Sequence, residues 1–330
     1  MLQAKKLTIL AIKLGLIGLI LWYLVHSDKL NLETMGLFWK RPALMFGLTL
    51  LVLGATNLIV CYRWNILLKA QGETLPMARL YMIHWISQFF ATVLPGTVST
   101  DGVKAFYAIK ETEGRLSKTE CLTVLVVDRI LGFYGLILVS VFALLSNLEL
   151  IFSNPKLHLL ALFVFGLTLG MSLFFAVIIF PFDQERDPFL RIAHKLPGSG
   201  IFARIYLAFK HYQHHLKTLA LGLFLSVIGQ LSVVIFFVFL TPLVCNCVPP
   251  TWNLMFAVPL GELSTVVPLG PAGIGVGHVA FDFLFGQMGM PAGADAFNLF
   301  TVIRLAVGLF GGIPYLMFKK RDGAFKADPA

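Results

Sequence analysis

Seven ionisable side chains stand inside or beside runs that are otherwise apolar: Asp101, Lys104, Asp128, Arg129, Glu262, His278 and Arg304. At membrane depth such groups are costly unless paired or hydrated, so each is a functional hypothesis in itself. Arg129 and Arg304, with Lys104 and two helix N-termini that follow breaks in the chain, would make an electropositive cavity for an anionic headgroup such as phosphate. Unpaired backbone N–H groups and the helix dipole favour an anion there, and Arg grips phosphate with two parallel bonds. A structural reading stands beside this one, in which Asp128 or Asp101 neutralises an arginine and locks two helices together. Arg129, with a carboxylate next to it in the chain, is open to both readings; Arg304 has none close in sequence and is read as a ligand. Glu262 and His278 flank the second break and could relay protons, although a hydrogen-bonded pair holding that segment is the preferred reading. His211, His214 and His215 share a helix face but lack a carboxylate or Cys framework, so they are read as a solvated basic face. No metal or other cofactor is expected, and no residue is assigned a catalytic role.

The elements that must position these groups are two interrupted apolar segments. Phe89 to Phe106, FFATVLPGTVSTDGVKAF, runs into Pro95 and Gly96 and restarts through Gly102, and Thr265 to Phe281, TVVPLGPAGIGVGHVAF, does the same through Pro268, Gly270, Gly273 and Gly275. A single offset of 173 residues superposes Thr92 on Thr265, Pro95 on Pro268 and Gly102 on Gly275. Downstream, Val127-Asp128-Arg129-Ile130 and Val302-Ile303-Arg304-Leu305 each place one arginine in an apolar helix. Interrupted segments at matching places in two halves point towards the binding site of an inverted-repeat transporter. The repeats are expected over about 43–146 and about 217–318, in one transmembrane domain covering 1–330.

Composition sets the class. The chain is 58% hydrophobic and 13% charged, with thirty Phe in 330 residues and a mean hydropathy of +0.83. No single soluble core hides that much apolar sequence, and several runs reach the roughly 20 residues needed to cross a bilayer. The net charge of +9 sits in loops between apolar runs, which excludes a nucleic-acid surface and suggests topology signals and contacts with anionic inner-leaflet lipids. Cys245-Asn246-Cys247 is too tight for the usual metal pair, and all four cysteines are read as small apolar residues.

The expected fold is an all-α polytopic membrane protein with about six full spans and two re-entrant broken-helix hairpins. The spans are Leu7 to Val25, Ala43 to about Leu68, Cys121 to Ser146, Leu157 to Phe180, Leu219 to Val244 and Phe297 to Phe318. Met82 to Pro95 reaches only roughly 21 Å, short of a ~30 Å hydrocarbon core, so it enters and turns back. Trp252 to Val267 and Ile274 to Phe285 form the second hairpin, and a basic cytoplasmic loop at 181–217 includes an amphipathic helix from about Ile201. With both hairpins re-entrant, most Lys and Arg fall on one face, which places both termini in the cytoplasm of a cell (inner) membrane protein. Three spans separate equivalent points of the repeats, so the halves are inverted.

Arg63 and Trp64 with Leu67-Leu68-X-X-X-Gly72, the LPGTVSTDGVKAF segment, Val127-Asp128-Arg129 followed by Gly132, and the late PLGPAGIGVGH segment together resemble the lysylphosphatidylglycerol synthase transmembrane-region family, also called flippase-like. The resemblance runs from about Lys5 to Lys320. Family members more often carry Gly-Gly-X-Asp where this chain has Val98-Ser99-Thr100-Asp101, and Gly-Gly-X-Gly around Gly273 and Gly275. The resemblance implies a lipid-translocating domain, fused in founding members to a cytosolic synthase. With Ala330 a few residues past the last span, a stand-alone domain is expected here, and lysyl transfer is not carried over.

The leading expectation is a flippase or transporter for an anionic phospholipid or a polyprenyl-phosphate lipid. The alternative is a membrane-embedded transferase acting on a polyprenyl-phosphate sugar or on phosphatidylglycerol, with Asp101 or Glu262 as general base. A third reading is a non-catalytic scaffold for a lipid-synthesis enzyme. A homo-oligomer is compatible with the small residues of Leu305 to Gly312.

Overall fold

The computed structural model describes residues 36–93, 98–146, 148–180, 190, 206–207, 209–265, 273 and 275–317. These are helical almost throughout, with no strand among the described residues. In chain order the main helices are α1 (Pro42–Ala70), α2 (Met77–Val93), α3 (Val98–Glu111), α4 (Lys118–Leu145), α5 (Pro155–Ile179), α6 (Leu216–Cys245), α7 (Thr251–Ser264), α8 (Val276–Gln287) and α9 (Gly293–Met317). Helices α1, α4, α5, α6 and α9 are long and apolar enough to cross a membrane. The protein is an all-α polytopic membrane protein, and the expected Leu7 to Val25 span lies outside the described residues.

Local chemistry fixes the helix ends. Pro42 starts α1, where its missing N–H costs nothing. Ser117 and Glu120 close a reciprocal capping box on α4: the Glu120 N–H donates to Ser117 Oγ at 3.2 Å and the Ser117 N–H to Glu120 Oε2 at 2.7 Å. The Asn154 side chain accepts from Lys156 N–H at 3.1 Å at the start of α5. Helix α2 begins five residues before the apolar run at Met82, because Pro76 accepts the first N–H groups, from Arg79 and Leu80. Its 17 residues still span only about 25 Å. Within α1, Leu51–Thr56 forms a π turn.

Three of the seven residues read as breaks are among the described residues. Pro95, Gly96, Pro268 and Gly270 lie outside the described residues. Gly102 is not a break: it sits within α3, exposed. Gly273 and Gly275 hold the left-handed backbone that a side chain resists, with φ of 75° and 94°. One cysteine reading is corrected: Cys245 and Cys247 form a disulfide across Asn246, whose φ of 51° lets the chain reverse at the end of α6. The amphipathic helix expected from Ile201 lies largely outside the described residues. His211–His214 is a 3-10 turn with His215 just beyond it.

The chain separates into two compact units. One takes Ala55–Ile83 and Lys104–Ser232; the other takes Met1–Gly54, His84–Val103 and Val233–Ala330. The stretches read as repeats, about 43–146 and about 217–318, each contribute to both units.

In the unit of Ala55–Ile83 and Lys104–Ser232, glycines bring helices into contact. A Cβ on Gly135 of α4 would meet Ser226 Cβ of α6 at 2.5 Å, and one on Gly222 would meet Leu131 at 2.9 Å. Small residues allow this approach where no hydrophobic force separates helix from lipid. Helix α5 turns Leu159, Leu162, Phe163, Leu169 and Leu173 outward, as a lipid-facing span does. In the other unit the core is aromatic: Phe237 stacks on Phe281 with centroids 5.1 Å apart, and Phe281 on Phe297 at 4.8 Å. Gly261 and Gly277 lie directly under the Phe281 and Phe297 rings. Phe-rich α6 thus supplies both core, through Phe236 and Phe237, and lipid-facing surface, through Phe224 and Phe239.

Gly135→Ala forces the α4 and α6 backbones apart and is expected to cost about 1–3 kcal/mol, read as a lower unfolding temperature in detergent. Gly102→Ala meets no atom within 4 Å and should leave that temperature unchanged or raise it.

Candidate functional site

The charged side chains of the unit containing α4 sort by whether they are neutralised. Arg63 of α1, only 7% exposed, donates through Nε to Asp128 Oδ1 at 2.6 Å and through Nη1 to Ser226 Oγ at 2.7 Å. Gly132 leaves room for the guanidinium, since a Cβ there would stand 3.4 Å from Nη1. Three helices, α1, α4 and α6, are tied at one buried point. Asp128 is therefore a structural counter-ion, but for Arg63 and not for its neighbour Arg129. Burial beside a carboxylate from another helix makes Arg63 part of the scaffold.

Arg129 is half-buried, its guanidinium 5.9 Å from the Phe133 ring centroid. Lys104 of α3 is more unusual. It is 6% exposed, its Nζ lies 5.6 Å from the Trp64 ring centroid, and among the described residues no carboxylate pairs with it. Cation–π attraction to Trp stabilises an ammonium by about 2 kcal/mol when desolvated, well short of what a carboxylate provides at that depth.

The remaining expected site residues occupy the other unit. Arg304 Nη1 of α9 donates to Glu262 Oε1 of α7 at 3.1 Å, with the guanidinium 5.2 Å from the Phe300 ring centroid. This corrects two expectations. Arg304 has a carboxylate after all, brought from 42 residues away, and Glu262 is bonded to Arg304 and not to His278. His278 closes the break instead: its Nδ1 accepts the Gly275 N–H at 3.2 Å, so Nε2 carries the proton and donates to Asn298 Oδ1 of α9. A histidine with both nitrogens engaged in this way anchors the start of α8 to α9. Asp101, in the same unit, is half-buried in the first turn of α3, where a carboxylate suits the helix dipole.

Outside the spans, Glu73 accepts from Arg115 Nε at 2.9 Å and Nη2 at 3.3 Å, tying the α1–α2 turn to the α3–α4 turn. Arg115's hydrogen bonds hold the Glu73 carboxyl below its ordinary 4.5. His215 is held below 6.5, by burial first and then by His211 and His214; among the described residues no cluster of His, Cys, Asp and Glu could hold a metal ion.

Sequence reasoning identified Lys104, Asp128, Glu262 and Arg304 as charges at depth. It missed that Arg63 and Trp64 belong with them, although the Arg-Trp pair sits inside an apolar span, and it missed Ser226 and Asn298, whose short polar side chains carry no pattern of their own.

The model of the family described as "Lysylphosphatidylglycerol synthase TM region" matches residues 10–313, and the chain belongs to that family. No curated protein and no solved structure matches it.

Asp128→Ala strands a buried guanidinium and is expected to destabilise by about 3–5 kcal/mol, whereas the paired Arg63→Met, Asp128→Leu variant should recover most of that loss. Thermal unfolding of the three proteins checks it. For Glu73 the sign follows from its lowered native value: stability is complete above about pH 4.5 and is lost as the pH falls through the native value. In Glu73→Gln that acid-side dependence should be weaker.

Proposed function

We propose that this family member is a lipid flippase or transporter that moves an anionic phospholipid or a polyprenyl-phosphate-linked lipid between the leaflets of a cell membrane. The reading rests on Lys104. A lysine that is 6% exposed without a carboxylate among the described residues lowers stability, and buried ionisable groups at membrane depth mark substrate paths. The two arginine pairs differ from it, because Arg63 and Arg304 already have Asp128 and Glu262. A headgroup phosphate would complete the charge balance at Lys104, with Arg129 as a second contact and the acyl or prenyl chains left in lipid.

Charge asymmetry supports cytoplasmic termini and contacts of the basic loops with anionic inner-leaflet lipids. A transferase using Glu262 as its base would need that carboxylate released from Arg304, and the observed pair weighs against it.

Leaflet exchange of fluorescent anionic and zwitterionic lipids in proteoliposomes tests the proposal. Lys104→Met and Arg129→Ala are expected to slow anionic exchange about 10- to 100-fold, the loss of one charged hydrogen bond, with insertion intact. Full exchange in both variants would remove the site assignment. Absence of exchange of any phospholipid by the intact protein would turn the reading to polyprenyl-phosphate lipids.

A further inference from the structure

Trp64 is 1% exposed, yet its indole Nε1 has no hydrogen-bond partner among the described residues. Indole N–H groups are donors only, and a buried one left without an acceptor costs about 1–3 kcal/mol. The same ring carries the Lys104 ammonium over it, 5.6 Å from its centroid. Among the described residues no carboxylate pairs with Lys104, itself 6% exposed, so α1 and α3 bring a buried indole donor without an acceptor and an ammonium without a counter-ion to one place. Neither can satisfy the other, because an ammonium and an indole N–H both give protons and accept none. No described side chain supplies an acceptor to both, and one that also balances the ammonium is anionic.

A water molecule would accept one bond and leave the charge. A phosphate offers several oxygens in fixed directions together with negative charge, which suits a point charge beside a directed donor. Asn65, next to Trp64 on α1, has a buried Oδ1 without a donor among the described residues, and as an acceptor it takes no part in holding an anion. Polar groups left open on this stretch of α1 contrast with Arg63, whose bonds to Asp128 and Ser226 are made within the protein.

We infer that Trp64 Nε1 and Lys104 Nζ together form an anion-binding site that takes a single phosphate-type group, with Lys104 supplying the charge and Trp64 the directed hydrogen bond. The inference rests on the reading of Lys104 as a headgroup ligand and adds the residue that orients the headgroup. It assigns Trp64 a role that ring packing alone would not: Phe at this position keeps the aromatic face under Lys104 and removes only the donor.

The test is calorimetric binding to the full chain in detergent, using a short-chain phosphatidic acid, inorganic phosphate and short-chain phosphatidylcholine as probes. Trp64→Phe is expected to weaken binding of the anionic probe about tenfold, one neutral hydrogen bond, and to leave phosphatidylcholine unchanged. A loss with the lipid alone identifies a headgroup presented by a membrane lipid; a parallel loss with inorganic phosphate identifies the free anion as sufficient. Nitrogen-15 spectra of the wild-type protein provide a second readout that needs no variant to fold, because one of five indole signals, for the five Trp, should move downfield when the anion binds. Equal affinity of Trp64→Phe and wild type, no indole signal moved, or no anion bound by the wild type would overturn the inference. Trp64-dependent binding by a protein that moves no lipid in proteoliposomes would keep the site and remove the flippase reading.

Discussion

Arg63 lies 2.6 Å from Asp128 at a point where three helices meet, and the requirement it meets governs the rest of the protein. In a bundle surrounded by hydrocarbon, charge is tolerated where an opposite charge or a directed acceptor answers it. Arg63 is answered by Asp128 and Ser226, and Arg304 by Glu262. Both pairs join residues far apart in the chain, so they fix which helices neighbour which. Lys104 stands against this background as a described buried cation answered by an aromatic face, whereas Lys210 also donates to the Phe180 carbonyl. The contrast in neutralisation, and not the number of basic residues, separates scaffold from site.

Close packing makes those pairs geometrically available. Gly132 admits the Arg63 guanidinium across α4, and Gly135 lets α4 approach α6 until Ser226 is within reach of the same group. The second unit uses glycine differently, laying phenylalanine rings over Gly261 and Gly277 so that α7, α8 and α9 pack through a stacked core. His278 links this core to the break, with Gly275 on one nitrogen and Asn298 on the other. The first turn after the second break is therefore anchored by neutral hydrogen bonds, and the charge pair of Glu262 and Arg304 stands separately from it.

Much of this architecture is legible in the sequence because its signals are periodic or compositional. The spans around Leu125, Leu162, Val234 and Ile303 follow from apolar runs of sufficient length. What is not legible is pairing across long separations. Asp128 is adjacent to Arg129 in sequence, but an α-helix turns consecutive residues about 100° apart, and Asp128 faces Arg63 instead. Glu262 and Arg304 are separated by an entire helix and two turns, and nothing in a local window joins them. Trp64 reads as one more apolar residue in α1 until its nitrogen is seen to lack a partner. Helix starts also shifted where polar residues extend a helix beyond its apolar run, as Arg79 does in α2.

The most direct measurement is the unfolding temperature of Lys104→Met with and without anionic lipid in a zwitterionic detergent. If Lys104 waits for a headgroup, removing an unbalanced buried charge raises the temperature in the absence of the lipid and abolishes the rise that anionic lipid produces in the wild type. If Lys104 is part of the scaffold, Lys104→Met unfolds at a lower temperature and still responds to anionic lipid as the wild type does, and that result would contradict the account.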